Sequence, residues 1–194
     1  MRSSFGTRRM SPEQELNPAQ GFSSGVLPRP RDSAQVMAVL SLQYHSPFHR
    51  DSVFLWLFAL GPITWLAMIW FLAFQPLPWH AIWSAAFLSV ALWQPLFEEL
   101  LFRGIIQGQL LQTMWGRKKW IGLSMSNLVG SLLFVSAHLA SHSISWSLLV
   151  FAPSLCFGFA RDRFGSLYPS IALHTFYNTG YFLLVGGATL PISR

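Results

Sequence analysis

The chain has 194 residues, of which 52% are hydrophobic, 15% aromatic and only 10% charged, where soluble domains average about 25% charged. Together with a mean hydropathy of +0.41, this excludes an ordinary soluble fold and fits one compact membrane domain. The net charge of +6 comes from cations gathered beside apolar stretches, without the interleaved basic and aromatic surface of a nucleic-acid binder, so the expected partners include the lipid bilayer and no nucleic acid.

Residues 1–50 are rich in Arg, Ser, Pro, Gln and Gly and read as a mobile cytoplasmic tail. No charged start is followed promptly by an apolar core and a small-residue cleavage site, so a cleaved signal peptide is not expected. Residues 51–194 read as a transmembrane helical domain. Val53 to Phe74 carries no charge and has the length to cross a hydrocarbon core about 30 Å thick. Gly61 and Pro62 inside it predict a kink.

A turn at 75–78 leads into a second span, Trp79 to Phe97. Helical character continues to Trp115, and a straight helix over that whole stretch would be about 55 Å long. A bend near Pro95 and a projection beyond the membrane are therefore expected. Trp120 to Ala140, Ile144 to Ala160 and Ser166 to Gly187 supply further spans. The expected fold class is all-α: a polytopic transmembrane helix bundle of about five spans, with a kinked or broken long second helix.

Arg2, Arg8, Arg9, Arg29, Arg31 and Arg50 precede the first span, Arg117, Lys118 and Lys119 follow the second, and Arg161 and Arg163 follow the fourth. With five spans these all fall on one side. The connections at 75–78 and 141–143 hold no Lys or Arg, so the positive-inside pattern places the N-terminus in the cytoplasm. The lone cysteine, Cys156, excludes an internal disulfide framework and a multi-cysteine zinc site.

Ionisable groups within apolar spans are costly and mark functional sites by default. Glu98, Glu99 and Arg103 fall together in QPLFEELLFRG. Residues four apart share a helix face, so Glu99 and Arg103 can pair. Glu98 is turned about 100° away and is expected to face a separate, poorly solvated place suited to a general base. Two more pairs repeat the one-turn spacing, Phe134 with His138 and His174 with Asn178. Taken singly, His174 and Asn178 could form an interhelical hydrogen-bonding clip.

The ordered set EExxxR, FxxxH and HxxxN, present as EELLFR at 98–103, FVSAH at 134–138 and HTFYN at 174–178, resembles the CPBP (ABI) family of intramembrane proteases. That family includes the Rce1-type CAAX endopeptidases. The resemblance covers about residues 79–187, an expected protease core. The wording FEELLFRGIIQGQL and RDRFGSLYPSIALH is similar to a compact prokaryotic branch linked to C-terminal sorting signals, which implies a prokaryotic inner membrane.

The resemblance implies a glutamate-type endopeptidase acting on a membrane-anchored protein or peptide. Glu98 would activate the attacking water, His138 would help to position it, and His174 with Asn178 would stabilise the oxyanion. Glu99 and Arg103 would support the site. No cofactor is expected. The alternative is zinc held by Glu98, His138 and His174 with water as fourth ligand, although HExxH is absent. Alternatives in other classes are an inactive scaffold or immunity protein of the same fold and a proton-coupled transporter. Residue counting leaves the depths of Glu98 and His138 in disagreement, so either the loop after His138 dips inward or the helix around Glu98 is broken.

Overall fold

A computed structural model describes residues 41–43, 47–72 and 74–190. Most of the stretch read as a tail lies outside them. Of the part described, Phe48 packs onto the buried cluster of Phe54, Phe157, Ala160 and Leu173, and Ser41 accepts a hydrogen bond from the Leu167 N–H at 2.9 Å.

Helix α1, Ser52–Leu72, is apolar on every side, the pattern of a membrane span. Asp51 caps it: its Oδ1 accepts from the Val53 and Phe54 N–H groups at 2.9 and 3.2 Å. The same carboxylate takes Arg163 at 2.8 Å, and this bond holds the Asp51 carboxyl below its ordinary range. The helix runs unbroken through Gly61 and Pro62.

The second helix starts later than expected. Trp79–Ala81 is a single 3₁₀ turn, and Gln75 and Leu77 before it donate to the carbonyls of Leu184 and Leu183, both at 3.0 Å. Helix α2 then runs over Ala85–Leu110, with Ser84 capping the Phe87 N–H at 3.1 Å. Its expected irregularity takes the form of two π-helical segments, Ser89–Trp93 and Leu100–Gln107, flanking an α-helical Gln94–Glu99. Single π turns inside helices recur at functional sites.

A short antiparallel hairpin, β1 Lys119–Trp120 and β2 Leu123–Ser124, occupies what was expected to be the start of the third span. Helix α3, Met125–His138, therefore has only 14 residues, about 21 Å at 1.5 Å per residue. Helix α4, Ile144–Phe164, is interrupted at Val150, next to the Leu149 carbonyl to which Pro153 has no N–H to give. It ends at Gly165, φ 60°. Helix α5 is Tyr168–Leu184, 17 residues.

The described residues thus form the all-α bundle expected. Three helices, α1, α2 and α4, are long and apolar enough to cross a membrane, and α3 is apolar but shorter. His138 ends a helix of only 14 residues, and Glu98 lies between two π-helical segments.

Helix α3 packs on α2 and α4, while α5 packs on α1, α2 and α4. Glycine permits two of the closest approaches. A Cβ on Gly180 would lie 2.0 Å from the Trp65 ring, and one on Gly158 would lie 2.0 Å from Asn127 Oδ1.

Candidate active site

Polar residues at every fourth position of α2 meet a matching row on α4. Arg103 donates through Nη2 to the Ser154 carbonyl and Oγ at 2.9 and 2.7 Å. One turn further, Gln107 donates to the Gly158 carbonyl at 2.9 Å and to Asp162 Oδ1 at 2.7 Å. Glu99, Arg103 and Gln107 are all essentially inaccessible to solvent, so these bonds satisfy groups that water cannot reach.

Glu99 Oε1 lies 3.1 Å from Arg103 Nη1, an ion pair between buried side chains but without the alignment of a hydrogen bond. The Arg103 guanidinium also sits over the Phe134 ring at 4.7 Å, an added cation–π attraction. Breaking a buried ion pair of this kind costs about 3 to 5 kcal/mol.

The same Glu99 oxygen holds His174 Nδ1 at 2.8 Å. A carboxylate accepts, so Nδ1 carries the proton and Nε2 is turned the other way. There it lies 3.6 Å from Glu98 Oε2. The two adjacent glutamates therefore grip opposite edges of one imidazole, instead of Glu98 facing elsewhere as the α-helical angle suggested. Their surroundings still differ: the Glu98 side chain is 30% exposed and that of Glu99 0%. At 3.6 Å the Glu98 contact is too long for a hydrogen bond.

His138 reaches this group through an aromatic ring. Phe134 lies 4.4 Å from the His138 ring at a tilt of 37° and meets His174 edge-on at 5.8 Å. The His138 Nδ1 is 2.9 Å from the Phe134 carbonyl; since a carbonyl only accepts, Nδ1–H donates and Nε2 keeps its lone pair.

Asn178 is one turn beyond His174 on α5 and donates to the Val90 carbonyl at 3.1 Å. That carbonyl is free for a physical reason. In the π segment the Gln94 N–H bonds to Ser89, and Pro95, the next residue, has no N–H to give.

Glu98, Glu99, Arg103 and His174 are therefore in direct contact, with His138 and Asn178 joined to them by Phe134 and by α5. Sequence reasoning missed Ser154, Gln107 and Asp162. Their signal was present as two four-residue rows, 99–103–107 and 154–158–162, which only a known pairing of α2 with α4 makes meaningful.

For the zinc alternative, Glu98, His138 and His174 would have to converge. Among the described residues no group of three or more His, Cys, Asp or Glu is placed to hold a metal ion, although Nδ1–H of each histidine bonds a carboxylate or carbonyl and leaves Nε2 open. As placed, these three side chains do not form a ligand set.

Fold and site together define an integral membrane protein whose helices enclose a carboxylate–imidazole–guanidinium cluster. The model of the Type II CAAX prenyl endopeptidase Rce1-like family matches residues 78–180, just over half of the chain, and the chain belongs to that family of endopeptidases. The match takes in Glu98, His138, His174 and Asn178. No curated protein and no solved structure matches the chain.

Proposed function

We propose that the protein is an intramembrane endopeptidase in which Glu98 activates water to cleave a membrane-anchored protein or peptide. The observation that carries this reading is the imidazole of His174, fixed by Glu99 on one edge and facing Glu98 across 3.6 Å on the other. A water beside that edge can bond to Glu98 and lie against His174. The lone pair on His138 Nε2 suits the second hydrogen of such a water, leaving an oxygen lone pair directed at the substrate.

Attack forms the new carbon–oxygen bond while the water proton moves to Glu98. Arg103 answers the charge of Glu99, and the Nε2 edge of His174, beside Glu98, faces the place where the oxyanion forms. The second Asn178 N–H makes no bond among the described residues and serves as an oxyanion donor. Collapse of the intermediate breaks the carbon–nitrogen bond, and Glu98 returns its proton to the leaving amine.

This chemistry uses no metal, a choice supported by the failure of the donor set to converge. We further propose a prokaryotic inner membrane as the setting, with the basic loops cytoplasmic. The test is the purified protein in a bilayer with a membrane-anchored peptide: mass analysis is expected to show two new fragments, and an intact peptide across a substrate series would favour an inactive scaffold.

A further inference from the structure

At the basic end of the bundle lies a cavity of about 450 Å³ whose wall includes Arg117, Lys119, Ser124, Asp162 and Arg163. Of these only Asp162 touches the polar row of the candidate site, through Gln107. The one carboxylate in the wall is already committed. Asp162 accepts from Gln107 Nε2 at 2.7 Å and from Ser124 Oγ, and buried Arg161 stands 3.7 Å from it. Its charge is therefore answered mainly from inside the protein, with Lys119 adding a weaker attraction at longer range.

The cations at the mouth are in excess. Arg163 is paired with Asp51, but Lys119 makes no ion pair among the described residues. Arg117 spends its Nε–H on the Leu111 carbonyl, which fixes the guanidinium plane, and its terminal nitrogens bond to nothing among the described residues. An oriented guanidinium beside an ammonium is the donor set that phosphate oxygens take.

The hairpin forming one side of the mouth shows where that phosphate comes from. Its turn has Ile121 at φ 50° and Gly122 at φ 82°, and isoleucine rarely tolerates a positive φ. The turn presents Ile121 at 81% and Trp120 at 62% exposure, apolar side chains beside Lys118 and Lys119. Aromatic and aliphatic groups flanked by lysine are the composition of a membrane interface, so the cavity opens at headgroup level. Basic pockets between helices at that level take lipid phosphates.

We propose that this cavity binds the phosphate of an anionic phospholipid headgroup, held by Arg117 and Lys119 with the Trp120–Ile121 tip in the bilayer. The inference does not depend on proteolysis, and neither does its test. Purified protein in neutral detergent is titrated with phosphatidylglycerol, with phosphatidylcholine and with inorganic phosphate, and bound ligand is counted by native mass spectrometry.

One phosphatidylglycerol is expected to bind in preference to phosphatidylcholine. The double variant Arg117→Ala/Lys119→Ala should bind it about tenfold to thirtyfold more weakly, from roughly one surface cation's attraction per residue. Arg117→Lys/Lys119→Arg is expected to retain most of the affinity at an unchanged melting temperature, which separates charge from folding. Equal binding of the two lipids, or unaltered binding by the alanine variant, overturns the proposal. Inorganic phosphate binding as tightly as the lipid overturns it too, by making the ligand a soluble anion.

Discussion

Asn178 gives its side-chain amide to the main-chain carbonyl of Val90, 88 residues earlier in the chain, at 3.1 Å. Pro95 makes this possible because, in the π register in which the Gln94 N–H bonds to Ser89, it is the residue that would donate to this carbonyl and it has no N–H. The contact is the interhelical clip that the one-turn spacing of His174 and Asn178 allowed. It also holds the amide that is proposed to face the oxyanion.

Asn178→Ala should show both roles. Loss of the clip is expected to cost about 1 to 3 kcal/mol, since the Val90 carbonyl loses its donor, and loss of an oxyanion donor to lower kcat roughly a hundredfold or more with little change in KM. Pro95→Ala offers a rival N–H to the same carbonyl, so kcat should fall without the loss of melting temperature. A full-rate Asn178→Ala enzyme would remove the residue from the mechanism.

Glu99→Gln and Arg103→Ala are expected to act mainly on stability. Each leaves a buried partner without its counter-charge, a loss of about 3 to 5 kcal/mol. Ser154→Ala removes only one of two bonds to the Arg103 Nη2, so its effect should be smaller. Denaturation in detergent micelles ranks the three, and an Arg103→Ala protein as stable as the parent would show that the pair contributes nothing net.

Much of this arrangement was legible before any coordinates. The apolar runs located the bundle, and the four-residue spacing predicted the Glu99–Arg103 pair that is observed. The His174 grip was not legible, because it depends on α5 lying against α2 and on how a long side chain reaches past the helical angle. The hairpin at 119–124 was hidden for another reason: Trp120, Ile121 and Leu123 look like the start of a span, and the positive φ at Ile121 is one that its side chain argues against. The π segments left no mark except Pro95.

Orientation can be mapped by single-cysteine labelling on a Cys156→Ser background, Cys156 being the only cysteine. Probes at Arg117 to Lys119 are expected to react from the cytoplasm and probes at Gln75 to Pro78 from outside. Labelling of the Arg117 to Lys119 turn from outside would reverse the orientation proposed.

Exhaustive chelation separates the two chemistries considered for Glu98, His138 and His174. Activity is expected to survive it, and elemental analysis should find no stoichiometric zinc. Loss of activity on chelation with recovery on adding zinc would instead make the three side chains ligands, and each single substitution should then empty the site.

The central claim is that Glu98 is the base, and Glu98→Gln tests it most directly because the amide keeps the size of the side chain and removes only its basicity. Single-turnover cleavage of a bilayer-anchored peptide by this variant, compared with the parent at matched melting temperature, is the measurement. The account predicts no detectable cleavage from a folded protein that still binds the peptide; cleavage at the parent rate would contradict it.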